Sequence, residues 1–155
     1  MGSTTTTTTT TGAAPAPSLP DPLALLRGVN TSAAFNGWAG IEVLRAAPGA
    51  VEIALPWKRE LGQYAGFLHA GLIGALIDTA CGYAAATLAG RVLASHFAVN
   101  CLRPARGERF IARARVLKAG RSQVFTAADL FALDADGQET LVANGEALMV
   151  PVPLD

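Results

Sequence analysis

Gly62-Gln63-Tyr64-Ala65-Gly66-Phe67-Leu68-His69-Ala70-Gly71 runs straight into Leu72-Ile-Gly-Ala-Leu-Ile-Asp78-Thr-Ala-Cys-Gly-Tyr-Ala-Ala-Ala-Thr-Leu88. The first part reads as a loop delivering the chain into a helix N-terminus. Free backbone N–H groups and the positive end of the helix dipole collect there. The second part is apolar on every side, as a helix is when other protein surrounds it. Asp78, nine positions after His69, interrupts it. An unpaired carboxylate in such a setting costs several kcal/mol of desolvation, so it needs a structural partner or a chemical task. A donor-rich helix start with one carboxylate about two turns along suits attack of water on an activated carbonyl.

Working outward, 155 residues fit one domain with a substantial core. With 51% hydrophobic residues, 15% charged and a net charge of zero, the chain has no basic excess for nucleic acid. The apolar run is long enough to span a bilayer. Against that reading stand the central Asp78, the glycines at 71, 74 and 82, and the alternating segments that follow, so no membrane partner is expected. Cys81 and Cys101 match neither a disulfide framework nor zinc-ligand spacing; both read as small core residues, and no metal or cofactor is called for. Thr4–Thr11 and Pro15, Pro17 and Pro20 make residues 1–20 a disordered tail, leaving 21–155 as a single domain. The tail lacks the charged and apolar regions of a secretory signal, which predicts cytoplasmic residence.

A short helix is expected over Asp21–Val29, capped by Asp21 and ended by Gly28, then a loop over Thr31–Gly40 carrying Phe35 and Trp38. Ile41–Arg45 and Val51–Leu55 read as strands about a turn at Ala47–Gly49. After the long helix, Val92–Leu102, Arg109–Lys118, Arg121–Leu133 and Glu139–Val150 all read as strands. In the last of these Leu141, Ala143, Gly145, Ala147 and Met149 share one face. One long apolar helix among about six antiparallel strands predicts an α+β layer architecture.

The segment Gln63…His69-Ala70-Gly71…Asp78, the stretch Phe97-Ala-Val-Asn-Cys-Leu-Arg-Pro-Ala105 and the turn Lys118-Ala-Gly-Arg121 resemble the hotdog-fold acyl-CoA thioesterases. Within the 4-hydroxybenzoyl-CoA thioesterase superfamily the likeness is to the phenylacetate-pathway (PaaI-type) branch, and it covers about residues 35–150. It implies an antiparallel sheet wrapped round one central helix and hydrolysis of an aryl or short-to-medium acyl-CoA. By resemblance Asp78 is the catalytic base or nucleophile. The Ala70 N–H binds the thioester oxygen, Gln63 holds the carbonyl or the water, and His69 orients the loop. Gly71 then lies against substrate, and Ser95 or His96 supplies a second polar partner. Arg103 and Arg121, with Arg106, are candidates for the phosphates of coenzyme A. A homodimer, or a tetramer of two dimers, is implied, with each site shared between subunits. The chain departs from the family pattern at Ala70, where a glycine is usual, and at Gly82, where some relatives carry a hydroxyl.

Each residue also has a plainer reading. Asp78 is then a buried carboxylate satisfied by backbone or an arginine, His69 a simple cap, Gln63 an ordinary loop residue and His96 a core or interface histidine. The arginines are then only solvated, and Phe35, Trp38 and Phe67 are core rather than acyl-pocket walls. Two other functions fit the scaffold: a 3-hydroxyacyl thioester hydratase or dehydratase, and a non-catalytic acyl-CoA sensor. The hydratases use a wider His–carboxylate spacing and a Phe-Pro-Gly-type loop, which is absent; sensors tend to lack the carboxylate.

Overall fold

Asp21 opens the first helix as expected: its side chain accepts a hydrogen bond from the Leu23 N–H at 3.1 Å, with Pro22 in the first turn. The computed structural model describes residues 21–153, so the expected disordered tail lies outside the described residues. Helix α1 spans Pro22–Ser32 and does not stop at Gly28. Continuing past a lone glycine costs about 1 kcal/mol, and the longer helix lets its side chains reach the first strand. Arg27 Nε donates to the Val43 carbonyl at 3.2 Å and Asn30 Nδ2 to the Ile41 carbonyl at 2.7 Å.

The segment expected as a loop holds a second helix, α2 (Ala34–Ala39), closed by Gly40 in the left-handed region at φ 84°. Six residues without a side-chain cap are too few to hold a helix alone. Tertiary bonds supply the rest. Asn36 Nδ2 donates to the Tyr83 hydroxyl (2.9 Å) and to Asn30 Oδ1 (3.0 Å), and the Tyr83 hydroxyl donates to Asn30 Oδ1 (3.1 Å). This closed triangle ties both N-terminal helices to the long helix.

That helix, α3, spans Ala70–Ala89 and ends at Gly90. The strands are β1 (Glu42–Ala47), β2 (Ala50–Pro56), β3 (Val92–Cys101), β4 (Arg109–Ala119), β5 (Val124–Leu133) and β6 (Glu139–Pro151). They form one antiparallel sheet in the order β1-β2-β4-β5-β6-β3. All six strands pack against α3, which is long and apolar enough to cross a bilayer but here forms the core of the sheet's concave side. This is the hotdog architecture.

The alternation expected in β6 breaks at Val142. Leu130 pairs with Ala143 and Phe131 with Leu141, so Val142 is an extra residue. The bulge buries both Val142 and Ala143 and turns Leu141 to the outer face opposite Phe131, correcting its inward assignment. A second bulge lies at Ser95 in β3.

The sheet's two edges differ. Along β1, the Ile41 and Val43 carbonyls are taken by α1 side chains. Along β3, β6 is the only partner among the described residues, and most of the strand is exposed. Replacing Tyr83 with Phe leaves buried Asn36 without one acceptor and removes a donor to Asn30. Tyr83→Phe is therefore expected to lose about 1–3 kcal/mol in urea unfolding, with the midpoint shifted and the slope unchanged.

Candidate active site

His69 is the N-cap of α3, and its Nδ1 accepts from the Gly71 N–H at 2.9 Å. Its carbonyl accepts from the N–H groups of Leu72 (2.9 Å) and Ile73 (3.1 Å). The Ala70 N–H has no hydrogen-bond partner among the described residues, and Ala70 is exposed. Outside glycine no described residue has positive φ, so alanine sits at this helix start without strain. The free donor and the helix dipole point the same way, toward solvent.

The loop before the helix is fixed by its backbone. His69 N–H donates to the Leu61 carbonyl (3.0 Å), Leu68 N–H to Ala105 (2.9 Å) and Gln63 N–H to Phe67 (2.8 Å). Gly66, at φ 81°, makes the turn between them. The Gln63 side chain is folded back, its Oε1 accepting from the Ala65 N–H, so it does not reach toward the helix start here. A cleft of about 440 Å³ opens beside the loop, lined among others by Gln63, Phe67, Ala70, Ile73, Cys101 and Arg103. Cys101 is exposed in that cleft on the free-edge strand, not in the core as expected. Cys81 is buried as expected, and burial pushes its thiol up to about 11, which rules it out as a thiolate nucleophile at neutral pH.

Asp78 lies on α3 with Gly74 and Gly82 one turn to either side. Its Oδ1 is buried and, among the described residues, makes no hydrogen bond and has no arginine or lysine paired with it. Burial holds its carboxyl above the usual carboxylate range. Asp78 is thus not a carboxylate satisfied by its surroundings. It stands eight residues from Ala70 along α3, about 12 Å. Within one chain the carboxylate and the free N–H do not meet on one carbonyl.

The remaining expected residues are dispersed. Ser95 sits in the β3 bulge, its hydroxyl donating to the Leu148 carbonyl at 3.1 Å. His96 is exposed opposite Leu148 on the outer face, away from α3, and is not a core histidine. Arg103 borders the cleft and donates to the Leu141 carbonyl at 2.8 Å. Arg121 precedes β5, at the opposite end of the sheet from Arg103, about 20 Å away along the strands. Phe35 and Trp38 pack against each other in a tilted pair with ring centroids 5.8 Å apart, and both are exposed, neither core nor cleft. Phe67 lines the cleft, with the Arg106 guanidinium 5.6 Å over its ring.

One residue packed on α3 a turn before Asp78 escapes sequence reading. Phe97 projects onto α3, its Cε2 lying 3.5 Å from where a Cβ on Gly74 would sit. The signal for it is a strand aromatic beside a helix glycine, visible only once the register of β3 is known.

The model of the thioesterase superfamily matches residues 65–137, the span from the loop before α3 to the β5–β6 turn. A Halobacterium salinarum protein provisionally named an esterase is 32% identical over 139 residues, covering 81% of this chain and 89% of its own length. The crystal structure of a thioesterase family protein from Silicibacter pomeroyi is 38% identical, with a TM-score of 0.78 over 81% of this chain and 93% of that one. The Escherichia coli PaaI protein, from the phenylacetic acid degradation operon, shares the fold at 17% identity, with a TM-score of 0.76 over 85% and 94% of the two chains. Matched along most of its length by such relatives, the chain belongs to the thioesterase superfamily.

Proposed function

We propose that the protein hydrolyses acyl-CoA thioesters to free acid and coenzyme A, as a PaaI-type enzyme acting on an aryl or short-to-medium acyl group. The observation that carries this reading is the buried Asp78 oxygen that no described residue satisfies. The Ala70 N–H, backed by the α3 dipole, polarises the thioester carbonyl. Asp78 takes a proton from the attacking water, or attacks the carbonyl itself to give a mixed anhydride that water then hydrolyses. In either route the tetrahedral intermediate collapses with loss of the coenzyme A thiolate, which takes up a proton. His69 holds the donor in place by occupying the Gly71 N–H, so that only Ala70 faces substrate. Gln63, once released from Ala65, reaches the carbonyl or the water. Ser95 of the assembled site and Arg103 at the phosphates complete the set; His96, on the outer face, and Arg121, at the far end of the sheet, join it only if the partner subunit brings them near. The chemistry needs no cofactor or metal.

The 12 Å between Asp78 and Ala70 is bridged in this proposal by a homodimer, itself paired into a tetramer or not. Asp78 of one subunit then faces the Gln63–Ala70 loop of the other. The unpaired edge of β3 supports such an association. We place the enzyme in the cytoplasm. Light scattering is expected to give a dimer or larger, and a stable, active monomer would contradict the shared site.

Asp78→Asn is expected to lower turnover by about 10²–10⁴, read as released thiol. It also carries a stability signature. Because burial raises the folded-state pKa of Asp78, the folded protein binds more protons than the unfolded chain between the two pKa values. This group's contribution to stability therefore falls as pH rises through the folded pKa. Asp78→Asn is expected to be more stable than the parent at neutral pH, with the gap closing as pH drops below that value. Turnover of the parent is expected to fall on the acid side at a pH above that of an ordinary aspartate.

At the oxyanion donor, Ala70→Gly is expected to keep turnover within a few-fold. Ala70→Pro removes the N–H at a position where proline is tolerated, and His69, at ψ 137°, already has the backbone a residue before proline adopts. Its turnover is expected to drop about 10²–10³, while circular dichroism shows an intact fold. Equal rates for the two variants would move the carbonyl site elsewhere.

A further inference from the structure

We infer that Phe97 sets the upper size limit of the acyl group, an inference that rests on the thioester-hydrolase reading above. The bulge at Ser95 is the starting point. Ala94 pairs with Met149 on the inner face, but His96 pairs with Leu148 on the outer face, so the alternation of β3 inverts between them. Phe97 then falls opposite buried Ala147 and turns toward α3. A strand without the bulge would aim the same side chain outward.

Phe97 faces inward yet is 47% exposed. Its ring edge meets α3 at Gly74, where the missing side chain leaves 3.5 Å to a Cβ position. Asp78 follows one turn later on the same side of the helix, about 6 Å away. One further turn on, the Met149 methyl lies 3.6 Å from the Cβ position of Gly82. In the proposed site the carboxylate then lies in a trough floored by glycine one turn to either side, with Phe97 against Gly74 at one end and Met149 against Gly82 at the other. Met149 is buried and fixed. Phe97 is the half-exposed one in the single chain, and in the proposed shared site a group bonded to the carbonyl under attack by Asp78 or its water runs between it and the partner subunit. A hydrophobic wall discriminates about 10–200-fold for a single methylene.

The test measures kcat/KM of the full chain on straight-chain acyl-CoAs from acetyl to dodecanoyl, with benzoyl-CoA as a flat comparison. Phe97→Ala is expected to move the preferred length upward, raising the longest over the shortest substrate by about tenfold or more. Phe97→Leu gives a smaller shift in the same direction and serves if the alanine variant does not fold. Gly74→Ala acts oppositely. Its added methyl makes ordinary contact with Phe97 and improves helix propensity, so the variant folds, and it narrows the trough against long chains. A length profile that only scales up or down uniformly in these variants overturns the inference and leaves Phe97 a packing residue. Failure of the parent to hydrolyse any of these thioesters overturns the functional reading and this one with it, a result distinct from an unshifted profile.

Discussion

Helix α3 rests on the sheet at Gly145, where a Cβ atom would come within 2.5 Å of the Ala98 carbonyl oxygen and 2.7 Å of Ile77 Cγ2. Only hydrogen fits at that contact, and most of the architecture follows from it. The close approach lets Leu76, Ile77, Ala80, Cys81 and Ala84 disappear entirely into the concave side of the sheet. A helix so enclosed gains from being apolar nearly all round, which is why its sequence passes for a membrane segment. The same enclosure strips water from Asp78 without offering it a cation. Fold stability and an uncomfortable carboxylate come from one packing decision, as expected where function is placed inside a core.

The long helix, the six strands and their turns were legible because each is marked by a local signal: periodicity, a cap at Asp21, a glycine at positive φ. Helix α2 was not legible, because Ala34–Ala39 is short and no side chain caps it. Its hold is Asn36 on Tyr83, a bond between residues 47 positions apart. Gly28 misled for the mirror-image reason. A local stop signal was overridden by what Asn30 gains from reaching Ile41. Leu141 faces outward against the alternation expected of it, because alternation assumes an unbroken ladder and the extra residue at Val142 moves the count by one.

Within the candidate site, chemistry was easier to read than geometry. Asp78 and Ala70 stand out from the sequence because a carboxylate among apolar residues and a helix start after a glycine-containing loop are unusual for physical reasons. The direction of a side chain is another matter. Gln63 looks poised by spacing, yet its amide closes its own turn; Ser95 looks like a spare hydroxyl, yet it completes the backbone bonding of a bulge. Cys101 looks like core because the strand that carries it is apolar, but that strand lies at an edge. Phe97 depends on the bulge two residues before it, and no periodicity rule places that bulge.

Strand pairing is a growth reaction, and its outcome depends on how many growing ends a molecule has. A sheet open on both sides adds neighbours without limit, the geometry of a fibre. Here α1 occupies one side through Arg27 and Asn30, each bound to a carbonyl that a neighbouring strand would otherwise use. Two side chains on a short helix therefore act as a chain terminator. Among the described residues β3 is then the edge left open, and a strand added there would leave only the partly capped β1 edge.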